Sequence, residues 1–287
     1  MKLEKVFILF LVLFLGVFSV TAQDKGNVKT GILLVHYGTG NDQSRELTID
    51  KLNSLVAEHF PDCKVIEAYS APSVIKMLAK RGIHKLSVSE GIDSLKALGC
   101  SRLVVQTTML LDGVMVDEMK KEVEKYKGCF SEISVGRPLL YSVEDCREMV
   151  RMIEKNLLAD KDVNIKKSQV VLVGHGSDSP ANAVYSQIDY LLKDEGKPMW
   201  HVGTIEGYPT MDCVMRRMEH RKVKNVLLVP LLYIAGNHQK EDIDGVIKSS
   251  LQANGYTVRV FSKGLGEMDE IMKMIVGRID NQINKMR

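Results

Sequence analysis

Two rhythms of apolar and polar positions alternate along this chain. Residues 28–35 form a nearly unbroken apolar run, the pattern of a strand buried on both faces. From 42 to 59 the apolar residues Leu47, Leu52, Leu55 and Val56 fall at helical spacing, which predicts an amphipathic helix. The spacing next predicts a strand at 64–68, helices around 73–80 and 89–98, and a β-branched strand at 103–107. A charged helix at 116–125 and a strand at 133–135 follow. A helix over 143–158 leads into Ala159-Asp160-Lys161-Asp162, a polar link. Strands recur at 170–173, 199–202, 226–229 and 258–261 with helices between them, and a last helix starts near 268.

Strands alternating with helices predict parallel sheets joined by right-handed crossovers. The fold class is therefore α/β, with two similar doubly wound, Rossmann-like parallel-sheet domains facing a central cleft. The N-terminal domain is expected over 28–142 and the C-terminal domain over 168–265. Residues 266–287 form a C-terminal helix placed to pack on the N-terminal domain.

The two halves match piece by piece. ILLVHYGTG, ending at Gly40, pairs with VVLVGHGSD, ending at Asp178. Glu67-Ala68-Tyr69 pairs with Glu206-Gly207-Tyr208, and VVQTTMLLDGVM, ending at Met115, pairs with LLVPLLYIAGNH, ending at His238. In this alignment Tyr37 stands opposite His175, Glu67 opposite Glu206 and Met115 opposite His238. Only the second half therefore brings His, Glu and His to one rim, and those three are a ligand set for a divalent metal.

The chain start reads differently from the rest. Lys2 and Lys5 precede an apolar run from Val6 to Val20, and Val20-Thr21-Ala22 fits a cleavage site before Gln23. Residues 1–22 are read as a signal peptide. The expectation is a periplasmic protein with no stable membrane insertion once the leader is removed.

Composition narrows the classes. Of 287 residues, 45% are hydrophobic and 26% charged, as in ordinary globular proteins. A net charge of +3 with interspersed signs leaves no nucleic-acid footprint, and one Trp offers no stacking platform for single strands. Five cysteines without a C-x-x-C spacing argue against a zinc ribbon or a thioredoxin-type site. They read as buried small side chains with room for one disulfide, whose pairing stays open.

Gly174-His175-Gly176-Ser177 lets the backbone turn sharply after a strand and leaves an imidazole reachable. It lacks the third glycine of a dinucleotide fingerprint. Gly174 also stands where a phosphohistidine phosphatase would carry Arg. Glu206, within GTIEGYP, can hold a cation or a proton, or serve a turn before the next helix. His238 ends a long apolar run and could equally be a helix-start residue. His36 is one place out of register with His175, so it should face the other side of its strand. His59, His84 and His220 lie on or near charged helices and are expected to be solvated.

Together these stretches resemble the anaerobic, class II sirohydrochlorin cobaltochelatases, the CbiK family. The matching segments are VHYGTGN, VGHGS around His175, GTIEGYP around Glu206, VPLLYIAGNH ending in His238, and KGLGE near Gly266. The resemblance runs from about Gly31 to Ile275 and implies a chelatase-type pair of domains with a tetrapyrrole in the cleft. It implies an enzyme inserting Co²⁺, or Fe²⁺ or Ni²⁺, into sirohydrochlorin during anaerobic cobalamin or tetrapyrrole biosynthesis, with two protons released. His175, Glu206 and His238 would hold the metal, and His175 or His238 would accept a proton. Tyr37, Met115, Gly176, Ser177 and Tyr208 would line the tetrapyrrole. No organic cofactor is expected, and homo-oligomerisation is left open. One departure stands out: Met115 takes the place of an acidic residue that cytoplasmic relatives often carry, and a thioether favours softer metals or a haem iron. The alternative reading is a periplasmic haem- or tetrapyrrole-binding, or metal-handling, protein on the same fold.

Overall fold

The computed structural model describes residues 28–286, so the expected signal peptide at 1–22 lies outside the described residues. The N-terminal half runs β1 (Thr30–His36), α1 (Asp42–Arg45), a π-helical stretch (Glu46–Asp50), α2 (Lys51–His59), β2 (Lys64–Tyr69) and α3 (Pro72–Ala79). It continues with α4 (Val88–Ala97), β3 (Arg102–Thr107), α5 (Val114–Glu124) and β4 (Glu132–Val135), and α6 (Val143–Ala159) leaves it. The second half runs β5 (Gln169–Gly174), α7 (Ala183–Asp194), β6 (Trp200–Thr204), α8 (Met211–Glu219) and β7 (Asn225–Pro230). A second π-helical stretch (Gln239–Ile247), α9 (Lys248–Ala253), β8 (Thr257–Val260) and α10 (Asp269–Lys285) complete it. Among the described residues no helix is long and apolar enough to cross a membrane.

The two sheets share one topology. Their orders are β2-β1-β3-β4 and β6-β5-β7-β8, all pairs parallel. Each is covered on both faces, which is why its central strands read as unbroken apolar runs. The pleat sorts their side chains. Leu33 and Val35 face a core with Ile92, Leu95 and Met119, whereas Val171 and Val173 face one with Val214, Ile243 and Leu251. The alternate residues, Ile32 and Leu34 in one half and Val170 and Leu172 in the other, belong to a single core shared by both halves.

Helices α6 and α10 fill that shared core. Met149 and Ile153 of α6 and Ile271, Ile275 and Ile279 of α10 are buried in it. Helix α6 is tied to the second half by Arg147–Glu195 at 2.9 Å and Lys197–Glu154 at 2.5 Å. Helix α10 returns to the first half, where Gln282 donates to Gln106 Oε1 at 2.9 Å. The Asp145 carboxylate joins both helices. It accepts from Ser142 N as part of a capping box at the start of α6, from Arg137 at 2.9 Å and from Arg278 of α10 at 2.7 Å. The Arg278 guanidinium also donates to the carbonyl of Pro138 at 2.8 Å, so its buried charge is matched on several sides.

The register corrects one part of the internal alignment. Leu34 pairs with Glu67, whereas its counterpart Leu172 pairs with Val202. The structural equivalent of Glu67 is therefore Val202, and Glu206 lies two residues beyond the end of β6. The other two matches keep their spacing. Leu34 pairs with Gln106 and Leu172 with Val229, which keeps Tyr37 opposite His175 and Met115 opposite His238. Among the cysteines, Cys100 and Cys146 are buried thiols, Cys129 and Cys213 carry free thiols near the surface, and Cys63 packs against the shared core.

Glu67 instead ends a buried polar chain. His36, at the end of β1, is fully buried and faces α2, on the opposite side of its strand from the His175 position. Its Nε2–H donates to Asn53 Oδ1 at 3.1 Å, and its Nδ1 accepts from Thr108 Oγ1 at 3.0 Å. Asn53 donates to Glu67 at 2.7 Å, and Lys85 pairs with the other Glu67 oxygen. Burial pushes the His36 imidazole down to about 4, against the opposing pull of Asn53 and Glu67. A histidine depressed in the folded state contributes stability above its unfolded value near 6.5 and loses it as pH falls toward 4. Acidification from pH 7 to 4.5 should therefore cost wild-type protein about 2 kcal/mol more than it costs His36→Asn, measured by urea unfolding at both pH values. Equal losses would show that folding leaves the affinity of His36 for a proton unchanged.

Candidate functional site

In a sheet of order 2-1-3-4, the two central strands send their connections in opposite directions. A crevice therefore opens beyond their carboxyl ends. In the first half the connections leaving β1 and β3 carry Tyr37 and Met115; in the second those leaving β5 and β7 carry His175 and His238. The two crevices face each other. Ser44 Oγ donates to the carbonyl of Ala235 across the halves at 2.9 Å. A Cβ on Gly113 would stand 3.4 Å from Ser179 Oγ of the opposite domain.

His175 is placed by close backbone approach. A Cβ at Gly174 would collide with the ring of Tyr185 at 2.1 Å. Gly176 has φ +96°, and a Cβ there would lie 2.6 Å from Gly207 N. The 175–177 turn is thus pressed against the 205–208 loop. Ile205 N donates to the carbonyl of Gly174 at 3.0 Å and Glu206 N to that of His175 at 2.8 Å. The Asn182 side chain bridges the same two loops, accepting from Ser177 N at 3.0 Å and donating to the Tyr208 carbonyl at 2.8 Å. Ser177 Oγ bonds Ser179 Oγ at 2.9 Å and closes the turn.

His238 sits at the start of the second π-helical stretch, eight residues past β7, so it is a helix-start residue as well as a rim residue. Its ring meets that of His175 edge to face, with centroids 4.7 Å apart. The hydrogen bonds identify which nitrogen of each ring is bare. His238 Nδ1 faces Asp242 Oδ2 at 2.8 Å, and His175 Nδ1 faces the carbonyl of Gly176 at 3.2 Å. Carboxylate and carbonyl oxygens only accept, so each Nδ1 carries the proton of a neutral ring and each Nε2 keeps its lone pair. Two adjacent imidazoles with bare Nε2 atoms can ligate a borderline metal ion or take up a proton.

The remaining expected site residues divide by exposure. Tyr37 and Tyr208 are half-exposed rings on opposite halves, and Met115 is half-buried in the first turn of α5. Glu206 adjoins His175 through its backbone while its side chain is exposed. Among the described residues no three His, Cys, Asp or Glu side chains converge on one metal-sized point. The geometry therefore brings together His175 and His238, with Gly176 and Ser177 shaping the turn, and leaves the Glu206 carboxylate outside the pair. Sequence reading passed over Asp242 and Asn182. Asp242 carried a signal, since positions i and i+4 share a helix face; Asn182 lies in a connecting segment and carried none.

Comparison with known proteins agrees with this architecture. Residues 30–284 match the cobalt chelatase (CbiK) family. The sirohydrochlorin cobaltochelatase of Salmonella typhimurium is 26% identical over 262 residues, covering 90% of this chain and 97% of the relative. The sirohydrochlorin cobaltochelatase CbiKC of Nitratidesulfovibrio vulgaris is 28% identical over 247 residues, covering 84% and 86%. Among solved structures, SirB from Bacillus subtilis with Fe³⁺ superposes with a TM-score of 0.64 at 17% identity, covering 90% of this chain and 97% of that one, a likeness of fold. With nearly all of its described residues matched by one family, the chain belongs to the CbiK cobalt chelatases.

Proposed function

We propose that this protein is a sirohydrochlorin cobaltochelatase, inserting Co²⁺ into the tetrapyrrole with release of two protons in anaerobic cobalamin-type biosynthesis. The observation that carries the reading is the His175–His238 pair, with both Nε2 lone pairs free in a crevice between two domains. Membership of a cobalt chelatase family supports it. Metal insertion replaces two pyrrole N–H bonds by metal–nitrogen bonds, and the two protons need acceptors. Neutral imidazole serves either role near neutral pH. Two nitrogen donors hold the incoming ion while leaving positions open for the tetrapyrrole nitrogens. Glu206 supplies negative charge beside the pair and joins the metal when its side chain turns inward. Tyr37 and Tyr208 present ring faces to the macrocycle from opposite sides of the crevice, with Met115 beside them. Fe²⁺ and Ni²⁺ are further substrate metals on the same donor chemistry. The thioether of Met115 favours a second reading, a haem- or tetrapyrrole-binding protein on this fold.

The reaction is assayed by mixing the purified mature protein with sirohydrochlorin and Co²⁺ and following the absorption spectrum. His175→Ala and His238→Ala should each slow insertion by about a hundredfold or more, with unchanged far-ultraviolet circular dichroism. Normal rates in both variants would sink the assignment. A wild-type protein that leaves the insertion rate unchanged but gives a stable spectral shift with haem would establish the second reading.

Asp242 acts through His238, holding the tautomer that bares Nε2. Asp242→Ala should weaken Co²⁺ binding about tenfold in calorimetric titration, and Asp242→Asn, whose amide oxygen still accepts from Nδ1–H, should weaken it less. Equal affinity in all three proteins would remove Asp242 from the site.

We further infer that the protein works in the periplasm, on the basic start, apolar run and Val-Thr-Ala ending of residues 1–22. Protein isolated from the periplasmic fraction should begin at Gln23. Protein retained in the cytoplasm with Met1 in place would overturn this.

A further inference from the structure

A cavity of about 690 Å³ opens in the N-terminal domain beyond the carboxyl end of β2, walled by α3, α4 and α5. Ser70, Lys76, Glu118, Lys121 and Glu122 line it, together with Met115, which the strand register sets opposite His238. We propose that this cavity receives a carboxylate arm of the tetrapyrrole, with Lys76 and Lys121 as the cations that recognise it. The proposal rests on the chelatase reading and names part of its substrate site.

The charges of the wall point to an anion. Neither Lys76 nor Lys121 has an ion pair among the described residues, whereas their neighbours are engaged. Lys120 bonds Asp112 at 2.7 Å and Lys125 bonds Glu122 at 2.6 Å. Glu122 also accepts from Ser89 Oγ at 2.6 Å, so its charge is already matched inside the wall. Glu118 is the one acid of the wall left against the two lysines.

Pro72 and Met115, in the first turns of α3 and α5, both line the cavity, and neither helix start has a side-chain cap. Ser70 Oγ is buried without a hydrogen-bond partner. Ile75 and Met119 make the rest of the wall apolar. Two unpaired cations, a spare hydroxyl and an apolar lining suit a carboxylate carried on a methylene stem, as on the arms of sirohydrochlorin. The position fits as well. Met115 lies two residues past Gly113, which faces Ser179 of the opposite domain across the crevice. Met115 thus sets one edge of the cavity beside the boundary between the two domains.

The test compares Lys76→Met/Lys121→Met with wild type, by quenching of sirohydrochlorin fluorescence and by steady-state insertion kinetics. Exposed lysine–carboxylate contacts are individually modest, so the expected rise in Kd and KM for sirohydrochlorin is about five- to tenfold, shrinking with added salt. The KM for Co²⁺ and kcat should stay within about twofold of wild type, because the pair lies off the metal-binding imidazoles. Lys76→Arg/Lys121→Arg should restore most of the affinity. Lys127→Met/Lys155→Met removes the same charge from exposed lysines outside the cavity and should change little. An unchanged sirohydrochlorin KM in the cavity variant, or an equal rise in the control variant, overturns the proposal while leaving the chelatase reading intact. A wild-type protein that neither binds nor metallates sirohydrochlorin overturns both.

Discussion

In each half, the central strand pair sheds its connections in opposite directions, and every residue of the crevice inherits its place from that choice. β1 leads to β2 and β3 to β4; β5 leads to β6 and β7 to β8. The loops after β1, β3, β5 and β7 therefore have no crossover above them and are free to meet a ligand. The pairing of the halves depends on the shared core, which α6 and α10 fill from both sides. Asp145 and Arg278 fasten those two helices at a buried contact, beside the links from Glu270 of α10 to Lys155 and Asn156 of α6. A crevice between two domains keeps its width only if the domains hold their spacing, so this contact supports the site although it is no part of it.

Within the second half, the absence of side chains does as much as their presence. Tyr185 occupies the space a Cβ of Gly174 would need, and Gly207 occupies that of Gly176. The first half repeats part of this device: Gly38 has φ +102° and lies against the ring of Tyr69. What differs is the residue presented by the common turn, Tyr37 in one half and His175 in the other. A duplicated scaffold thus offers an aromatic face from one side and a metal ligand from the other, an asymmetry suited to a flat ligand with a metal approaching one of its faces.

Much of this was legible before any coordinates. The strands announced themselves as apolar runs, and the helices by spacing. The pairs Tyr37/His175 and Met115/His238 follow from motif alignment and survive the strand register. The Glu67/Glu206 match did not survive, because Glu-x-Tyr recurs at different depths: inside β2 in one half, past the end of β6 in the other. Nothing in a linear alignment weighs that difference, since it depends on Asn53 and Lys85, which are distant in sequence and close in space. The π-helical stretches were equally hidden. The second stretch matters for the site, as it starts from His238 and carries Asp242.

The gap between the expected triad of ligands and the observed pair has a physical sense for a chelatase. Catalytic metal centres that retain their ion commonly use three protein ligands. A chelatase must surrender its ion to a macrocycle, so each additional protein ligand that stays bound opposes the transfer. Two imidazoles with an exposed carboxylate nearby provide affinity that can be graded. In the proposed mechanism the Glu206 carboxylate helps capture the hydrated cation, and its departure lowers the affinity at the moment of handover. The exposed side chain of Glu206, attached by its backbone to the His175 carbonyl, has the freedom for such a part. On the facing side Met115 offers no negative charge, so in the proposed mechanism the cation is drawn toward the histidine half, while Tyr37 and Tyr208 are left to the macrocycle.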